Sequence, residues 1–118
     1  MPLSALGYSP RVYRLEIAAE LGSINQAVVL EQLHYWLERA TKEHAGHKWV
    51  YKTYSEWGSE LGISTKQARV ALKSLRDLGL VVSINNPNSP MDQTLWWRTD
   101  EVVIDMLTRT IDGRKQTR

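Results

Sequence analysis

The stretch TYSEWGSELGISTKQARVALKSLRDLGLVVSI, residues 53–84, decides the fold. Thr53 and Glu56 stand three apart, as do Ser64 and Gln67. At that spacing a cap hydroxyl accepts from the third helical amide while the Glu or Gln side chain reaches back to the cap. Two helices are therefore predicted, one opening at Thr53 and running to Leu61, the other over Thr65–Leu78. Gly62 and Gly79 supply their stops. Only Leu61-Gly62-Ile63 and the cap at Ser64 separate the two helices, which is the compact, glycine-containing corner of a helix-turn-helix. Beyond it, Leu80–Ile84 reads as a strand and Thr94–Thr99 as its returning partner. Between them, Asn85–Gln93 carries two prolines and three asparagines and reads as a turn-rich loop. A helix-turn-helix followed at once by a β-hairpin defines the expected class: mainly α with a small β-hairpin, a winged helix-turn-helix.

Upstream, Ser23 with Gln26 gives a third capping box, opening a long helix from Ile24 to Thr41. Its stripe of Val29, Leu30, Leu33, Trp36, Leu37 and Ala40 has the three-four spacing of a core-facing helix. A shorter helix, Arg11–Leu21, precedes it and stops at Gly22. Residues 1–10, with Pro2, Gly7 and Pro10, form an irregular lead-in. Lys42–Lys48 contains Gly46 and two histidines and is expected to be a loop, and Trp49–Tyr51 a brief strand. Downstream, Asp100 is placed to cap a last helix through Leu107, and 108–118 is expected to be a basic, flexible tail. The winged-helix domain thus spans 11–107, with no internal repeat.

Composition narrows the function. The chain has 118 residues, enough for one core-forming domain. It has no cysteine, which excludes a disulfide scaffold, a thiol nucleophile and cysteine-based zinc or iron–sulfur sites. No apolar run approaches the roughly 20 residues of a membrane span, and no basic-then-apolar leader opens the chain. Membrane association is not expected, and the cytoplasm of a bacterial host is the expected location. There is no GxxxxGK[ST] phosphate loop and no serine-nucleophile elbow. His34 falls on a helix while His44 and His47 fall in a loop, so they do not converge as metal ligands. No enzymatic activity, metal or cofactor is expected. Phe is absent, whereas all five Trp and three of the five Tyr cluster near 35–36, 49–57 and 96–97, as suits half-buried positions with one polar edge.

The net charge of +2 conceals a segregation: residues 64–76 carry +4, residues 108–118 carry +3, and everything else sums to −5. On a helix advancing about 100° per residue, Lys66, Arg69, Lys73 and Arg76 share one stripe. Ala68, Ala71, Leu72, Leu75 and Leu78 gather opposite. The second helix of a helix-turn-helix enters the major groove with its early residues near base edges. Thr65, Lys66, Gln67 and Arg69 occupy those turns; Gln pairs with adenine, and Arg or Lys with guanine. Lys73 and Arg76 would neutralise phosphates, and Val70 could meet a thymine methyl. Lys52 and Thr53 lie at a helix N-terminus, where amides can hold a phosphate. The loop's Asn86 and Asn88 would give polar or minor-groove contacts, since the wing has no Lys or Arg and one acid, Asp92. Arg98 could assist from the hairpin.

The phrases LGSINQAVVLEQLHYWLERA (21–40), KWVYKTYSEWGSELG (48–62), STKQARVALKSLRDLGLVVS (64–83) and QTLWWRTD (93–100) resemble the N-terminal winged-helix domain of phage and prophage replication proteins. The likeness spans about residues 12–107 and includes replisome organisers and initiators. It implies binding to double-stranded DNA at a replication origin, as a homodimer or higher assembly, with a helicase or its loader as partner. By position, Lys66, Gln67, Arg69, Lys73 and Arg76 match that family's DNA-facing helix. The wing departs from the pattern in lacking basic residues. Two other functions fit the same fold: a small phage or bacterial transcriptional regulator, and a protein-interaction module docking through the Trp96–Trp97 face without touching DNA.

Overall fold

All three predicted capping boxes lie where helices begin, and two of them close reciprocally. The computed structural model describes residues 10–116 apart from position 90. Helices α1 (Pro10–Leu21) and α2 (Ile24–Leu37) lead into strands β1 (Lys42–His44) and β2 (His47–Tyr51). Helices α3 (Tyr54–Leu61) and α4 (Thr65–Asp77) follow, then β3 (Val81–Asn85), β4 (Leu95–Thr99) and α5 (Glu101–Gln116). At the start of α3 the Glu56 amide donates to Thr53 Oγ1 at 3.1 Å, and the Thr53 amide donates to Glu56 Oε1 at 3.0 Å. At the start of α4 the Gln67 amide donates to Ser64 Oγ at 3.0 Å, and the Ser64 amide to Gln67 Oε1 at 2.9 Å. Asp100 caps α5 as expected, its Oδ1 accepting from the amides of Val102 and Val103.

The corner between α3 and α4 depends on two glycines. Gly62 takes the left-handed conformation (φ 72°) that ends α3. Gly58, four residues earlier, lets the returning chain lie against the helix: a Cβ there would stand 2.7 Å from the Ile63 carbonyl oxygen. The Ile63 amide in turn donates to the Gly58 carbonyl at 3.0 Å. The helix-turn-helix is thereby fixed by backbone packing against backbone.

The strands form one antiparallel sheet in the order β1-β2-β4-β3. Val50 pairs with Trp97, and Ser83 pairs with Trp97 from the other side. Because neighbouring residues of a strand face opposite ways, Val50, Val81 and Trp97 share the face that joins the core. That core also takes Ala27, Val29, Leu30 and Leu33 of α2, Trp57 of α3, and Ala68, Ala71, Leu72 and Leu75 of α4. Each fully buried leucine contributes about 2 kcal/mol of apolar transfer, so α4 is held by the face opposite its charges. The architecture is a winged helix-turn-helix, with β3 and β4 as the wing.

Four expectations are corrected. Residues 42–48 are a hairpin, not a loop: Ala45 (φ 54°) and Gly46 (φ 80°) form its two-residue turn. Both left-handed angles match the turn type that suits strand twist. Helix α2 ends at Leu37, with Glu38 as its C-cap, rather than at Thr41. Helix α5 runs on to Gln116, so residues 108–116 are helical where a flexible tail was expected. Leu78, assigned to the apolar face of α4, is the exposed C-cap. The lead-in expected over residues 1–10 falls, apart from Pro10, outside the described residues, as do positions 117 and 118.

Candidate nucleic-acid interface

Helix α4 is the most sharply divided element of the chain. Ala68, Ala71, Leu72 and Leu75 are buried, while Thr65, Lys66, Gln67, Arg69, Val70, Lys73 and Arg76 are all exposed. The structure therefore brings together on one surface the whole α4 set singled out from sequence. The two faces follow from the 3.6-residue period, which places i, i+3, i+7 and i+10 on one side. Among the described residues no ion pair involves Lys66, Arg69, Lys73 or Arg76. Arg76 has a different anchor, its Nη1 donating to Ser83 Oγ of β3 at 3.0 Å. That bond ties the last turn of α4 to the wing.

Two of the exposed residues carry added constraints. Gln67 already spends its carbonyl oxygen on the capping box, so a bidentate adenine pair would require the cap to open. Val70 stands 54% exposed amid the cations, an apolar spot on a polar stripe.

Lys52 is not available for DNA. Its side chain is 10% exposed, its Nζ pairs with Glu60, and it lies over the rings of Trp36 and Trp57, 4.1 and 5.3 Å from their centroids. It is a structural cation pinning α2 to α3. Thr53 is exposed, with its hydroxyl engaged by the α3 cap. Arg98 is likewise removed from the interface. It pairs with Val82 on the sheet face opposite Trp97, donates to the Thr99 carbonyl at 3.1 Å, and lies 5.2 Å from the centroid of Trp49. The sheet stands between Arg98 and the core-facing side on which α4 packs.

The wing loop is organised around one carboxylate. Asp92 accepts from Tyr51 Oη at 2.5 Å, from Asn86 Nδ2 at 3.2 Å and from the Thr94 amide at 2.9 Å. The Tyr51 hydroxyl, ahead of the Thr94 and Asn86 donors, holds the Asp92 carboxyl well below the usual carboxylate range. The same bond to Asp92 raises the Tyr51 phenol above its ordinary value. Asn86 also accepts from the Asn88 amide at 2.9 Å. Asn86 is thus committed within the loop, whereas Asn88 is exposed. This latch was not anticipated, because Tyr51 and Asp92 are far apart in sequence and meet only through the pairing of β2 with β4.

A cleft of about 570 Å³ lies between α2 and α5, lined in part by Leu30, Tyr35, Leu61, Ile104 and Leu107. It includes none of the α4 stripe. Among the described residues no group of three or more His, Asp or Glu could hold a metal ion, and no helix is long and apolar enough to cross a membrane. His34 pairs with Glu38 at 3.0 Å on the surface of α2.

No family model matches the chain, and no curated protein matches it. Among solved structures, the chain is similar to a double mutant of Lactococcus lactis ZitR in its apo form. The identity is 18%, the match covers 99% of this chain and 76% of that one, and the TM-score is 0.48. At that distance no residue is carried from one chain to the other.

Proposed function

We propose that this chain is a double-stranded DNA-binding winged-helix module that reads the major groove with α4 and does no chemistry of its own. One observation carries the proposal: Lys66, Arg69, Lys73 and Arg76 form an exposed, acid-free stripe on the second helix of a helix-turn-helix, directly opposite its buried face. Lys66 and Arg69 lie in the early turns, where base edges are reached, and Lys73 and Arg76 lie where phosphates pass. Thr65, Val70 and the free amide nitrogen of Gln67 complete the reading surface. Asn88 is the polar residue that the wing offers.

The finer role we propose is replication initiation in a phage or mobile element, with a helicase or loader recruited beside the bound DNA and a second copy of the chain as a further partner. This rests on the aromatic and basic phrases spread over residues 21–100. A transcriptional regulator would use the same stripe, and chromatin profiling in the host separates the two: binding confined to an origin supports replication, and binding at promoters supports regulation. The double variant Lys66→Glu/Arg69→Glu tests DNA binding itself. It should abolish the shift of duplex DNA at near-physiological salt while leaving the circular dichroism spectrum unchanged. A variant that still shifts duplex like the parent protein would refute the assignment of α4 and favour a protein-docking module.

A further inference from the structure

The wing has to meet DNA without cations. Residues 85–93 contain no Lys or Arg, and their one charge, Asp92, is enclosed by Tyr51, Asn86 and Thr94. What the loop does present is Met91, 89% exposed and the most exposed large apolar side chain among the described residues. It sits beside the most heavily bonded residue of the wing. The Asp92 amide donates to the Ser89 carbonyl at 3.1 Å, and the carboxylate of the same residue holds three donors. Met91 is therefore carried on a braced backbone while its own side chain projects free.

The position is distal. Strands β3 and β4 pair from Val81↔Thr99 at the body to Asn85↔Leu95 at the far end, so Met91 lies in the loop beyond the last pair. Arg76 ties the same hairpin to α4 at Ser83, midway along β3. A helix seated in the major groove would thus have beside it a hairpin, backed by β2 along β4 and latched by Tyr51, that is tipped with an unbranched apolar side chain.

Resting on the DNA-binding proposal above, the geometry points to Met91 as a minor-groove wedge that enters a base step, partly unstacks it and bends the duplex. Apolar side chains on minor-groove proteins act in this way, exchanging unstacking energy for a bent duplex that wraps more protein surface. Methionine suits the task because its thioether is slender, flexible and polarisable. Asn88, exposed on the same loop, would contact the acceptor edges of A·T pairs. The preferred step is a pyrimidine–purine step, the most readily unstacked. The wing then contributes specificity through deformability, with no phosphate contact of its own.

The test uses the full chain and the duplexes that it retains from a random-sequence pool. 2-Aminopurine is placed at successive positions of a retained duplex, and bending is read by energy transfer between its ends. Wild-type protein should raise the fluorescence at one step outside the α4 footprint and shorten the end-to-end distance. Met91→Ala should lose both signals and bind roughly tenfold more weakly with the same salt dependence, while Met91→Leu keeps both. A retained duplex that shows no unstacking with wild-type protein, or a Met91→Ala variant with unchanged fluorescence and bend, overturns the wedge and leaves the role of α4 intact. Failure to retain any duplex overturns the DNA-binding proposal, and the wedge with it.

Discussion

Helix α4 presents four cations along one exposed face, whereas the loop at the far end of the wing presents none. The two elements also hold their shape differently. The approach of α4 is set by backbone packed on backbone at Gly58 and Ile63 and by a buried face of Ala and Leu. The loop is set by side-chain hydrogen bonds converging on one carboxylate. On the proposed reading the contrast implies a division of labour, in which electrostatic affinity would belong to α4 and shape sensing to the wing.

Salt offers the largest lever on that division. If the four α4 cations each neutralise one phosphate, log K should fall against log salt with a slope of about −3.6, and a fourfold rise in salt should weaken binding by roughly a hundredfold. Lys73→Ala should flatten the slope by about one, while Asn88→Ala should leave it unchanged. A wing substitution that altered the slope would break the division. Next in size is Gly58→Ala. The added methyl meets the Ile63 carbonyl at 2.7 Å, and relieving that clash should cost about 2–3 kcal/mol, read as a lower denaturation midpoint. A neutral result would mean that the corner yields and α4 is not rigidly presented. Lys52→Ala tests the body that supports both elements. It leaves Glu60 without its partner and strips the cation from Trp36 and Trp57, at a cost of about 2 kcal/mol after allowing for the partial exposure of Glu60.

The smallest effect concerns the latch. Tyr51→Phe removes one donor from Asp92 without changing charge, and should speed amide exchange across residues 86–94 while leaving the global midpoint nearly unmoved. The pH dependence of the latch follows from the two shifts. The folded pKa of Asp92 is depressed, so its contribution is complete above the unfolded value of about 3.9 and is lost as pH falls through the lowered one. The folded pKa of Tyr51 is raised, so its contribution is complete below about 10 and is lost as pH rises through the raised one. Wing exchange, corrected for intrinsic rates, should therefore be independent of pH across the neutral range. A step near neutrality would show that another group governs the loop.

What was legible in the sequence is what is local. Capping boxes, glycine stops and the opposed faces of α4 are written within a few residues of one another, and the structure has them apart from Leu78, which is exposed, and the Ser23 box, which closes on one side alone. The β1–β2 hairpin was missed because its turn uses Ala45 at a positive φ, where Asn would have announced it. The end of α2 was overrun because no glycine or proline stands between Leu37 and Ala45. Lys52 and Arg98 looked like available cations, since charge is visible in sequence and partners are not. One is enclosed by residues from α2 and α3, and the other is turned away by strand register. Gly58 was passed over for the same reason: only the folded corner reveals what lies against it.

The aromatic residues have a practical consequence for how this protein can be observed. Trp49, Trp57, Trp96 and Trp97 are all buried in the body or the sheet, and α4 carries no aromatic residue. Intrinsic fluorescence therefore reports on the scaffold, and ligand arriving at the basic stripe would be optically silent. Tyr51 is the exception in reach, since its ring stands edge-on to Trp96 at 6.3 Å while its hydroxyl holds the wing. A spectral change on adding DNA would then time the movement of the wing, separately from the docking of the helix.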